Sequence, residues 1–142
     1  MLEDAALALE EIESADKTRN EVRSAQLNLY MAAKEWGMAA AVAGQMAEVD
    51  PQNACWWINL AYSVRRIESI EKAEAILLRA REIHPESAII AFNLACYACV
   101  GGRIEEAKLR LRIAISLDKD IRKLAIDDED LRTLRGWIDG LE

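Results

Sequence analysis

Residues 51–85 read PQNACWWINLAYSVRRIESIEKAEAILLRAREIHP, and this stretch decides the fold. Trp57, Leu60, Ala61 and Val64 follow a spacing of three, one and three, which sets them on one stripe of a helix. Glu68 and Ser69 make a short polar break, and a second stripe runs through Ala73, Leu77 and Ala80 before Pro85. Two antiparallel helices are expected, bounded by prolines that stand 34 positions apart. A fixed period of that order marks stacked helical hairpins.

The register extends in both directions. Adding 34 gives Ala91, Leu94, Ala95, Ala98, Ala107, Leu111 and Ala114, with Gly101 and Gly102 at the turn and Lys119 where a proline would continue the series. Subtracting 34 gives Leu27, Tyr30, Ala39, Ala43, Met46 and Pro51, with Trp36 and Gly37 at the turn, although Arg23 and Gln26 depart from the stripe. One further step back lands on Ala5, Leu9 and Ile12, a second-helix stripe alone. The expected organisation is one domain over 1–142: a half repeat at 1–17, repeats at about 20–53, 54–87 and 88–121, and capping helices over about 120–140. In the cap, Ile121, Leu124 and Ala125 are separated from Leu131, Leu134 and Ile138 by the acidic run Asp127, Asp128, Glu129, Asp130. Because a helix N-terminus favours negative charge, a final helix is expected from about Asp128. An ordinary helical bundle is the competing architecture, but a bundle has no reason to keep a period of 34.

Composition agrees with an all-α chain. Of 142 residues, 52% are apolar, enough for a continuous core without disulfides, and only six glycines and two prolines interrupt the helical content. The net charge of −7 would repel a phosphate backbone, so nucleic acid is not an expected partner. No apolar run approaches the roughly 18 residues of a membrane helix, and the first residues lack the pattern of a signal peptide, so no membrane association and a cytoplasmic location are expected. Three cysteines cannot all pair within one chain and read as thiols.

The central stretch resembles the tetratricopeptide repeat, whose signature is Trp, x2, Leu, Gly, x2, Tyr, then Ala, x3, Phe, and finally Pro. Here the corresponding residues are Trp57, Leu60, Ala61, Val64, Ala73, Leu77 and Pro85, with Val64 replacing the aromatic and Ala80 at the small position beyond Leu77. Small residues at Ala61, Ala73 and Ala80 let the helices of a hairpin approach closely. The resemblance covers about residues 1–118 and implies a right-handed α-α superhelix with a concave groove lined by the first helix of each repeat. It implies ligand contacts at Ser24, Asn28 and Met31 in the first repeat. In the second they fall at Cys55, Ile58, Asn59, Tyr62, Arg65 and Arg66, and in the third at Ile89, Phe92, Asn93, Cys96 and Cys99.

An extended peptide crossing Tyr62 and Phe92 would bury aromatic surface, while Asn28, Asn59 and Asn93 offer amides to its backbone. Arg65 and Arg66 suit an acidic side chain or terminus. Each has a plainer alternative: Asn59 and Asn93 cap and space helices, and the arginines form a solvated helix end. Some members of this family clamp a chaperone's C-terminal carboxylate; Asn28 and Asn59 fall at the clamp's asparagines, but Ser24, Ile89 and Asn93 stand where it has cations, which argues against that ligand.

Cys96 and Cys99 form C-x-x-C, yet they fall within a helix rather than at its start, and a zinc site would have to reach Cys55 and His84 at distant registers. Small groove or core residues are the preferred reading. Trp57 has a packing slot and Trp36 a hairpin turn; Trp56 has none, and if exposed it would mark a surface for a homodimer. His84 reads as a helix-end residue with no triad around it. The expected function is a non-enzymatic scaffold, without cofactors, that binds a protein or peptide. The alternatives are a small secretion-type chaperone holding an unfolded client and a thiol redox or metal protein using Cys96 and Cys99.

Overall fold

The computed structural model describes the backbone of residues 2–141 and the side chains of residues 15–141. It is all-helical among these residues. The elements are α1 (Leu2–Ala32), α2 (Trp36–Val49), α3 (Ala54–Ile67), α4 (Ile70–Ile83), α5 (Ala88–Val100), α6 (Ile104–Leu117), α7 (Ile121–Asp127), a 3₁₀ segment (Glu129–Leu134) and α8 (Arg135–Asp139). The helices α2, α4 and α6 begin at 36, 70 and 104, and α3 and α5 at 54 and 88, so the helix starts keep the period of 34 read from the sequence. Each of α1 to α6 packs on the next in order, an arrangement consistent with a helical repeat. No described helix is long and apolar enough to cross a membrane.

Local chemistry sets these boundaries. Asn53 accepts a hydrogen bond from the Cys55 amide, Ser69 from Lys72 and Ser87 from Ile90, so α3, α4 and α5 each open on a side-chain cap. Between α5 and α6 the chain turns through Gly102 at φ +80°, a left-handed conformation that costs glycine nothing. The equivalent position between α1 and α2 is Lys34, at φ +58°. The joint between repeats is tied by Pro51, whose carbonyl accepts from Trp57 Nε1 at 3.0 Å and from His84 Nε2 at 2.8 Å. His84 is therefore a buried bridge between the α2–α3 and α4–α5 connections.

The core follows the predicted stripes. Ala39, Ala43, Ala61, Ala73, Leu77, Ala80, Leu94, Ala95, Ala98, Ala107, Leu111 and Ala114 are all fully buried. Alanine at these crossings keeps the helix axes close, and the aliphatic residues between them supply the apolar area.

Four expectations need correction. The half repeat at 1–17 is not a separate helix, because α1 runs unbroken through residues 17–20; residues 2–32 contain neither glycine nor proline to stop it. The side chains of Ala5, Leu9 and Ile12 lie outside the described residues. Trp36 and Gly37 do not form the turn but open α2, the turn being 33–35. Trp56 is only 1% exposed and donates its indole N–H to Asp50 Oδ2 at 3.0 Å, so the ground for a homodimer contact there is removed. Finally, the helix expected from Asp128 is a 3₁₀ segment followed by the short α8, with Asp128 accepting from the Asp130 amide. This C-terminal part does not simply extend the stack. The 3₁₀ segment packs against α5, and Trp137 of α8 lies under the cationic groups of Lys108 and Arg112 on α6.

Candidate functional site

The candidate residues lie along one side of α1, α3 and α5, and these helices meet there through side chains. Met31 Sδ of α1 lies 3.5 Å from Ser63 Oγ of α3, and Arg65 of α3 stands over the Tyr97 ring of α5 at 5.5 Å. Asn28 is exposed, Met31 and Ile58 are half-buried, and Ile89 is exposed at the start of α5.

Helix α3 supplies the most organised part. Tyr62 is 40% exposed and meets Trp36 edge to face, with ring centroids 5.6 Å apart. The Arg66 guanidinium lies 3.5 Å from the Tyr62 ring centre and 4.9 Å from that of Trp36, while Nη1 donates to the Tyr62 carbonyl at 2.8 Å. Tyr62 and Trp36 thus hold Arg66 by cation–π attraction, and no carboxylate among the described residues pairs with it. Arg66 is exposed in the last turn of α3, and these contacts set its position there.

Arg65 points differently. Its fork donates to both oxygens of Asp130, at 2.6 and 2.8 Å, a bidentate pair that joins α3 to the C-terminal segment. Tyr62, Arg65, Arg66, Asn93, Cys96 and Tyr97 border a cavity of about 220 Å³ that Asp128 and Asp130 close from the other side. Arg65, a ligand contact by the resemblance, is thus occupied by the chain's own carboxylate. Asn59 donates to the Cys55 carbonyl of its own helix at 2.8 Å, which supports a spacing role. Asn93 is partly buried at the cavity wall.

Phe92, Cys96 and Cys99 are not open groove residues. All are buried, as is nearly every residue of α5 from Ile90 to Cys99, because the C-terminal segment covers the side that the repeat resemblance would leave open. A helix apolar all round is a helix covered all round. Cys99 Sγ meets Thr133 Oγ1 of that segment at 3.3 Å. Burial, with the Asp128 and Asp130 carboxylates beside it, pushes the Cys96 thiol well above the usual cysteine range, the opposite of what a nucleophilic thiolate needs. One atom each from Cys96, Asp128 and Asp130 falls within 4.8 Å of the others, a spacing compatible with a metal ion. Asp130 is already neutralised by Arg65, and the protonated thiol is a poor ligand. Of the three thiols only Cys55 is exposed.

No family model and no curated protein matches the chain. The site is therefore read from its own geometry.

Sequence reasoning missed Trp36, Tyr97, Asp128, Asp130 and Thr133 as parts of this face. The signal for the acidic pair was present, since Arg65–Arg66 and Asp127–Asp130 are oppositely charged clusters on one small chain. The signal for Tyr97 and its cover was the apolar run of α5, AIIAFNLACYACV, in which Asn93 alone is polar and which therefore offers water almost no polar face.

Proposed function

We propose that α1 to α6 form three tetratricopeptide-type hairpins in a right-handed superhelix. In this reading the protein is a non-enzymatic cytoplasmic scaffold that binds a segment of another polypeptide along the α1–α3–α5 side. The open part of that side comprises Asn28, Met31, Ile58, Tyr62, Arg66 and Ile89, which together offer an apolar floor, an amide and a cation. A peptide strand laid there would place an acidic side chain on Arg66 and an apolar one against Tyr62.

The observation that carries the reading is the seat of Arg66. A guanidinium stacked on two aromatic rings, with no carboxylate partner among the described residues, is pre-organised, so part of its rotamer entropy is already spent when a ligand arrives. The small residues at the helix crossings and the period of 34 support the architecture.

The test is affinity capture from extract with the full chain, compared with Tyr62→Ala/Arg66→Ala. A control at exposed Leu109 of α6 retains binding on this reading. The paired substitution is expected to remove the captured partner while leaving the circular dichroism spectrum intact. Undiminished capture by that variant would refute this surface.

A further inference from the structure

Seven residues of the C-terminal part, Asp128 to Leu134, read DEDLRTL and sit on the face that the third repeat presents. Their contacts alternate in kind. Asp130 gives both carboxylate oxygens to Arg65, Leu131 and Leu134 are buried, and Thr133 reaches Cys99. Glu129, before them, and Arg132, among them, face solvent. A 3₁₀ segment turns every three residues, so Leu131 and Leu134 share one side, Asp130 and Thr133 a second, and the exposed Glu129 and Arg132 the third. The segment therefore meets the protein as a short amphipathic ligand would: one carboxylate anchor, then two leucines three positions apart.

The 3₁₀ segment has six residues, and the elements that flank it, α7 and α8, have seven and five. Helices this short have little order of their own and take it from docking. The receiving surface belongs to α3 and α5, which are anchored in the repeat core. Beyond Asp130 the surface continues, through the cavity of about 220 Å³, towards Tyr62 and Arg66, which pairs with no carboxylate among the described residues. The resident segment thus covers only part of a longer acidic-segment site.

We infer that the α3–α5 face is a receptor for a partner segment of the pattern Asp-Leu-x-x-Leu, and that Glu129–Leu134 is its resident intramolecular occupant. A partner carrying that pattern replaces the C-terminal segment, sets its carboxylate on Arg65, and extends an upstream acidic residue to Arg66. This rests on the scaffold reading above and names the partner's chemistry.

The test uses the full chain and a fluorescent peptide with the sequence of residues 126–139, read by anisotropy. In Leu131→Asp/Leu134→Asp the resident segment cannot dock, and the peptide is expected to bind at least about tenfold more tightly than to the unaltered chain. Adding Arg65→Asp should abolish that gain, and a peptide carrying Asp130→Lys should restore it. A released variant that keeps its helical signal yet binds no better than the unaltered chain overturns the inference, as does binding indifferent to the charge exchange. Should the double variant lose its helices, Asp130→Ala, which removes only the ion pair, must still raise peptide affinity; no rise overturns the inference equally. Because the peptide comes from this chain, the assay reads the receptor without any captured partner. Peptide binding with unaltered capture by Tyr62→Ala/Arg66→Ala would leave the receptor standing and remove only the Tyr62–Arg66 surface.

Discussion

Arg65 and Asp130, 65 positions apart, form a two-pronged ion pair that fastens the C-terminal segment to the second repeat, at 2.6 and 2.8 Å. Their side chains are 29% and 23% exposed, so solvent screens the pair only in part. Removing one partner leaves the other charge half-desolvated, and Arg65→Ala or Asp130→Ala is expected to cost about 1–3 kcal/mol. The double substitution should cost much less than the sum, because it leaves no orphaned charge. Urea unfolding of the four chains gives the coupling; strict additivity would mean the pair does not hold the segment.

The thiols separate structural from chemical use of the C-x-x-C motif. Cys55 is exposed, whereas Cys96 and Cys99 are buried beneath the C-terminal segment. In the native protein a disulfide reagent should label one thiol rapidly, Cys55→Ser should abolish that phase, and the other two should react only on unfolding. Rapid labelling of Cys96 would show that the C-terminal segment leaves α5 readily.

Much of this fold was legible because helical repeats write their geometry at a fixed spacing. The stripes through Ala61, Leu77, Leu94 and Leu111 are local, and every one is buried. Three features were not local. The continuation of α1 through residues 17–20 depends on the absence of a breaker rather than on any signal that can be aligned with a neighbouring repeat. The burial of Trp56 depends on Asp50, an acid whose counterpart in the next repeat, 34 residues on, is His84. The covering of Cys96 and Cys99 depends on a segment more than 30 residues away, and no 34-residue periodicity announces an element that lies across it. For the site, residue type carried further than position. Residue type brings Tyr62 and Arg66 together as candidates, but the spacing puts their neighbour Trp36 at a turn and Asp130 at a helix start, with nothing local to pair Asp130 with Arg65.

His84 bridges two repeat junctions through the Pro51 carbonyl, which also receives the Trp57 indole. A carbonyl only accepts, so His84 Nε2 carries the proton in this bond. His84→Ala leaves a cavity and removes one of the two donors, with an expected loss of about 1–3 kcal/mol in denaturant midpoint analysis. Trp57→Phe removes the other donor and should be non-additive with it, since both act on one oxygen. Independent effects would show that the junction is held by packing alone.

Tyr97 gives the face a signature in alkaline solution. Burial pushes its phenol up from 10.0 to about 12, while the Arg65 guanidinium over its ring pulls the other way. In the unfolded chain the phenol ionises near its ordinary value, so between that value and about 12 the unfolded state holds fewer protons than the native one. The contribution of Tyr97 to stability is therefore complete below 10.0 and declines as pH rises towards about 12. Tyr97→Phe should flatten this alkaline decline, and the tyrosinate absorbance difference between the two folded chains should show one phenol titrating late. Arg65→Ala removes the opposing charge and should shift that phenol's titration still higher, provided the C-terminal segment stays docked. A shift downward would instead report that losing the ion pair lets the segment lift and water reach Tyr97.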